Sequence, residues 1–151
     1  MTRFAAGDAQ SSFTSLIEQA RACRLCDTQL DAGVRPVFQV DPAAKILIAV
    51  QAPGSKVHAT GIPFNDSSGD RLREWLGVNA EQFYDPTNVA ILPIAFCYPG
   101  RGKSGDLSPP SVCAATWRQR MLAAMPTLCL TLVIGQYAHA WHLVTQHKNL
   151  T

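Results

Sequence analysis

Three short apolar runs, 46–50 (ILIAV), 89–92 (VAIL) and 128–134 (LCLTLVI), constrain the fold of this chain more than any other feature. They have the length of strands, they are rich in β-branched residues, and they lack the apolar–polar alternation of a sheet with one wet face. Such runs are buried on both sides, so helices must cover both faces. Helix-length segments do separate them, which predicts an α/β fold with a short, mostly parallel sheet in a three-layer α/β/α arrangement. At 151 residues and 47% hydrophobic content the chain is expected to form one domain, residues 1–151, with a sizeable core.

The helices have their own signals. Phe13, Leu16, Ile17 and Ala20 recur at i, i+3, i+4, i+7, which predicts a first helix. Residues 27–44, with Pro36 and Pro42, read as loop or a short extended piece. Asp66, Ser67 and Ser68 offer N-caps for a helix through Leu72, Trp75 and Leu76, with Gly77 closing it. Ser108, Pro109 and Pro110 open another, which carries Cys113 and stops before Pro126. A final helix sets Tyr137, Trp141 and Val144 on one side. The series ends on that helix with no closing strand, so the domain is expected to be C-terminally truncated and to lack its last strand.

Four of the five cysteines fall in two groups, Cys23 with Cys26 just past the first helix, and Cys97 with Cys113 far downstream. A C-x-x-C pair meeting two remote cysteines is how chains build a four-thiolate cage for an iron–sulfur cluster or a zinc ion. The alternative is two small buried hydrophobes and a redox pair. Cys129, inside the third apolar run, is expected in the core. No signal-peptide core and no stretch near the roughly 20 apolar residues of a membrane span occurs, so a cytoplasmic, monomeric protein with reduced cysteines is expected.

The formal net charge is +2, which neither demands nor excludes nucleic acid. Arg101 and Lys103 sit in a Gly-rich loop, with Arg118 and Arg120 downstream, and these four make either one positive edge or ordinary solvated surface. Gly102-Lys-Ser104 imitates the end of a phosphate-binding loop. The glycine required five positions earlier is Cys97, and no helix start follows, so nucleoside triphosphate hydrolysis is not expected. Gln51-Ala-Pro-Gly54 leaves the carboxyl end of the first strand, where open α/β sheets place ligands, and Gly61-Ile-Pro-Phe64-Asn-Asp66 belongs to the same long connection.

At these residues the chain resembles the uracil-DNA glycosylase superfamily, most closely its iron–sulfur branch, family 4, and related bacterial glycosylase-like proteins. The resembling segments are Cys23 with Cys26, residues 50–54 (VQAPG), Ile62-Pro-Phe64 with Gly69, Cys97 and Cys113 at a sixteen-residue step, and residues 134–138 (IGQYA). The resemblance implies hydrolysis of the N-glycosidic bond of uracil or another deaminated base in DNA, the nucleotide being flipped out or already single-stranded. It implies Phe64 stacking on the base, Gln51, Ala52, Pro53 and Gly54 binding its edge and placing water, and a structural 4Fe–4S cluster on Cys23, Cys26, Cys97 and Cys113. Arg101 and Lys103 then face DNA.

The chain departs from that pattern in three places. Gln51 stands where the family has glutamate, and Asp66 is the nearby carboxylate that could substitute as base. Pro93 stands where the uracil-reading asparagine is expected. No His-Pro-Ser motif follows His142; His147 is followed by Lys148 and Asn149. Weak or absent excision is therefore expected of these 151 residues, with a nucleic-acid-binding iron–sulfur or zinc module of the same fold as the alternative reading.

Overall fold

The computed structural model describes residues 6–143. Its centre is a three-stranded parallel sheet in the order β2-β1-β5, where β1 is Ile46–Val50, β2 is Val89–Pro93 and β5 is Leu130–Val133. Ile46 pairs with Val89 on one side and with Leu130 on the other, which fixes the register along the sheet. All three strands start within the runs picked from sequence, and β2 reaches one residue beyond its run, to Pro93. Cys129 precedes β5, is exposed, and turns its thiol to the Lys45 carbonyl at 3.3 Å, so its expected place in the core is corrected.

Alternation along the strands divides the core in two. Leu47, Ala49, Ala90 and Leu92 face a cluster built from Ala20 of α1 (Ala6–Arg21), Met121 of α6 (Gln119–Ala123) and Ala138 of α7 (Gln136–Leu143). Ile48, Val89 and Ile91 face the opposite cluster, with Leu72 of α3 (Ser67–Leu76) and Phe83 of α4 (Ala80–Phe83). Helices thus cover both faces of β1 and β2, as continuous apolar strands require. The outer strand β5 is exposed at Leu130 and Thr131 and half-buried at Leu132 and Val133, so its expected burial on both sides is corrected. Within the described residues β5 pairs only with β1.

Local chemistry sets the element ends. Asp66 caps α3 by accepting from the Gly69 amide at 2.9 Å, and Gly77 closes it in the left-handed region at φ 68°. Asn79 and Gln82 form a reciprocal capping box on α4. A short helix, α2 (Ser55–Thr60), interrupts the connection read from sequence as one long loop, and the Gly-rich loop contains a hairpin, β3 (Arg101–Gly102) with β4 (Gly105–Asp106). The helix after Pro110 begins with α5 (Ser111–Cys113) and runs through a π turn, Ala114–Arg118, before α6. That wider turn puts two successive large side chains, Trp117 and Arg118, inside the protein.

Arg118 corrects the sequence-based positive edge. It has no solvent exposure, so it cannot contribute to a surface. Its guanidinium donates to the Leu92 and Pro93 carbonyls, each at 3.0 Å, and lies 2.8 Å from His142 Nε2. Burial brings its pKa down to about 10, which leaves it charged at neutral pH. Desolvation, then the Arg118 charge, hold His142 at about 4, so its ring is neutral and accepts the proton.

Candidate functional site

At the carboxyl ends of the strands, on the Ile48 face of the sheet, a cavity of about 410 Å³ opens. Gln51, Ala52, Pro53 and Gly54 form one wall as the chain leaves β1; Phe64, Asp66, Ser68, Arg71, Leu72 and Trp75 form another; Ile91, Pro93, Ile134 and Gly135 come from the other strand ends. The six residues proposed from sequence for base binding and water activation therefore line one space. Arg71 and Trp75 were missed, since their spacing from Leu72 reads as plain helix.

Phe64 is fixed by its neighbours. It is the one non-glycine described residue with positive φ, at 57°, a conformation worth holding only under constraint. Arg73 donates to its carbonyl at 3.3 Å and to Tyr84 Oη at 3.1 Å, while Tyr84 Oη donates to the Pro63 carbonyl at 2.7 Å. Its ring meets Phe83 edge to face at 5.8 Å. Gly69 is required beneath it, because a Cβ there would overlap the Phe64 carbonyl oxygen and stand 2.7 Å from its carbon. The glycine singled out in the motif is thus a consequence of close approach by backbone.

Asp66 Oδ1 accepts from the Gly69 amide and from Ser68 Oγ at 2.7 Å. Oδ2 has no hydrogen-bond partner among the described residues. Gln51 donates nothing from its side chain within that set; its carbonyl accepts from the Ala95 amide at 3.1 Å. Gln51 and Ala52 also border a second, polar recess of about 450 Å³, shared with Pro99, Asp106, Gln136 and Tyr137. Gln51 is thus common to two spaces, one lined by Asp66 and the other by Asp106. Arg101 on β3 and Lys103 in the following turn are both exposed, on the hairpin whose Asp106 borders that recess.

Across the sheet, Cys23, Cys26, Cys97 and Cys113 line one small cavity of about 20 Å³, and every other residue lining it is apolar. Two of the four sulfurs accept an N–H: Cys23 from Trp117 Nε1 at 3.3 Å, and Cys113 from the Phe96 amide at 3.3 Å. Burial raises the Cys26 and Cys97 thiols and pushes Cys113 up to about 12, so without a cation these thiols stay protonated. Among the described residues no group of three or more His, Cys, Asp or Glu is arranged to hold a metal ion. The residues that would carry a His-Pro-Ser equivalent, from 144 onward, lie outside the described residues.

No described helix is long and apolar enough to cross a membrane. The short parallel sheet with helices packed on it is the α/β fold that the sequence predicts, and Gln51–Gly54 and Phe64 line the cavity at its strand ends. The family model of the Uracil DNA glycosylase superfamily matches residues 37–150, about three quarters of the chain. The chain belongs to the uracil-DNA glycosylase superfamily, whose members act on DNA.

Proposed function

We propose that this chain is a base-excision glycosylase of the superfamily's iron–sulfur branch, cleaving the C1′–N bond of a deaminated base flipped out of DNA. The observation that carries the reading is the cavity of about 410 Å³ in which Gln51, Ala52, Pro53, Gly54, Phe64 and Asp66 converge. A nucleobase is a flat, largely apolar body with a polar rim, and this space has Phe64, Val50 and Leu72 for the faces and Gln51, Asp66 and Ser68 for the edge.

Bond cleavage leaves positive charge on the sugar and negative charge on the departing base. The Asp66 carboxylate, held at Oδ1 by Gly69 and Ser68, presents Oδ2 to a water that the Gln51 amide orients. Water oxygen bonds to C1′, its proton goes to the carboxylate, and the bonding pair leaves with the base nitrogen. Pro93 offers no amide to read uracil, so hypoxanthine and xanthine stand beside uracil as substrates.

Cys23, Cys26, Cys97 and Cys113 would hold a 4Fe–4S cluster. An all-sulfur donor set suits soft metals, and a cluster takes one thiolate per iron, which calls for sulfurs that surround a space. N–H donors on two of the sulfurs, Cys23 and Cys113, favour thiolates. When bound, the group supplies a structural cross-link. Zinc in the same cysteines is the alternative occupant.

A second reading, a DNA-binding module without chemistry, is favoured by Gln51 in place of a carboxylate. One assay separates them: protein purified without air is incubated with oligonucleotides carrying uracil, hypoxanthine or xanthine, and abasic sites are counted. Release of any of the three bases, reduced at least tenfold in Phe64→Ala, is the expected result. Strand binding with no base released overturns the enzymatic reading.

A further inference from the structure

Trp75 is 76% exposed, the highest exposure of any large apolar residue described. Single apolar side chains on a surface are ordinary. What sets this one apart is its company. It shares one face of α3 with Ser68, Arg71 and Leu72, at helical spacing, and that face walls the strand-end cavity. Leu72 is buried at the cavity's inner end, while Arg71 and Trp75 are exposed.

Arg71 forms no hydrogen bond or ion pair among the described residues. Its neighbour Arg73, by contrast, is bound to Asp70, Tyr84 and the Phe64 carbonyl. An uncommitted guanidinium therefore sits one helical turn from an uncommitted indole, roughly 6 Å along the axis. One extended nucleotide spans that separation.

We propose that Arg71 and Trp75 form a nucleotide-binding step at the cavity mouth, which takes the phosphate and the base next to the extruded nucleotide in single-stranded DNA. The position rests on reading the cavity as a base pocket. An indole can stack only on a base whose face is free, and a duplex hides its faces in the stack. A guanidinium beside it matches a phosphate in charge and in donor geometry. The step lies on α3, apart from the Arg101–Lys103 hairpin, and it recognises strand form without recognising sequence.

The test uses the full chain and an undamaged probe, a short fluorescein-labelled oligothymidylate, alone or annealed to oligoadenylate. Anisotropy should show the single strand bound more tightly than the duplex. Trp75→Ala should weaken single-strand binding about tenfold. Arg71→Ala should weaken it and lower the salt slope by about 0.7. Both side chains are exposed, so both variants should keep the far-UV spectrum and melting temperature of the parent protein. Tryptophan emission should be quenched by the probe, and most of that quenching should vanish in Trp75→Phe, which leaves Trp117 and Trp141 in place.

Unchanged affinity in both alanine variants overturns the proposal, as does equal binding of duplex and single strand by the parent protein. The probe carries no lesion, so the result stands apart from excision. Weakened binding by Trp75→Ala in a protein that releases no base upholds the step and removes only the base-pocket reading.

Discussion

Acid should loosen this protein well before its carboxylates protonate, and the cause is His142. Its ring accepts from the Arg118 guanidinium at 2.8 Å, and desolvation together with that charge holds its pKa at about 4 against an ordinary 6.5. A depressed histidine binds its proton more readily in the unfolded chain. Between pH 6.5 and 4 the unfolded state therefore takes up more protons, and stability falls as pH falls through that window. The displacement sets a ceiling of roughly 3 kcal/mol, and screening of a half-exposed ring reduces this to about 1–2 kcal/mol.

The comparison that isolates the effect is His142→Gln, whose amide oxygen still accepts from Arg118 but does not titrate in this range. Urea unfolding, followed by far-UV circular dichroism at several pH values across the window, measures it. The parent protein should lose about 1–2 kcal/mol more than the variant between neutral pH and pH 4.5. Asp85, held below its ordinary 3.8 by hydrogen bonds from Thr87, contributes stability that is lost only at lower pH, outside this range. Parallel stability curves for the two proteins would refute the reasoning. The effect also reaches the site, because Arg118 grips the Pro93 carbonyl and Pro93 lines the cavity.

Gly69→Ala should destabilise the fold by roughly 1–3 kcal/mol through overlap with the Phe64 carbonyl, outweighing alanine's better helix propensity of about 1 kcal/mol. A melting temperature equal to the parent's would show that the loop yields freely. Cys97→Ser and Cys113→Ser should each cut bound iron or zinc by more than half in protein handled without air, whereas Cys129→Ser, exposed and outside the thiol cavity, should retain it all. Elemental analysis decides between these outcomes. Asp66→Asn preserves the helix cap, since asparagine caps as well as aspartate. It should slow excision about 100-fold or more with little change in melting; full activity would move the water-activating role to Asp106, across Gln51.

Much of this architecture is legible before any coordinate, for reasons that differ by element. β1 and β2 announce themselves because burial on both faces leaves no polar alternation, β5 is legible from its apolar run although Leu130 is exposed, and Asp66 and Gly77 mark α3 because caps are local chemistry. The hairpin at residues 101–106 is not legible, since its strands are two residues each and its glycines read as loop. Arg118 was misplaced because a π turn rotates its side chain inward, and no residue type signals that shift. Trp75 reads from sequence only as part of a helix, while the structure puts it on the cavity wall, 76% exposed. Residues 51–54 and Phe64 with Asp66 line one space because both motifs lie on the one connection that leaves the carboxyl end of β1, where open α/β sheets have their crevice.

Why a thiol site should matter to chemistry on the far side of a sheet follows from two segments that belong to both. Pro93 and Gln51 line the strand-end cavity, Ala95, Phe96 and Cys97 line the thiol cavity, and the Ala95 amide donates to the Gln51 carbonyl between them. Residues 34–37 repeat the pattern, with Val34 and Pro36 against the thiols and Val37 against the strand-end cavity, and the Val37 amide donates to the Phe96 carbonyl at 2.7 Å. A group bound by four cysteines would restrain both segments at once, the Val37–Phe96 bond tying them together and the Ala95–Gln51 bond passing the restraint to the residue proposed to orient water. No electron need move for that coupling to operate. Loss of the bound group should therefore first appear as a slower reaction at unchanged pH dependence, because it alters where Gln51 is held without altering which groups carry the proton.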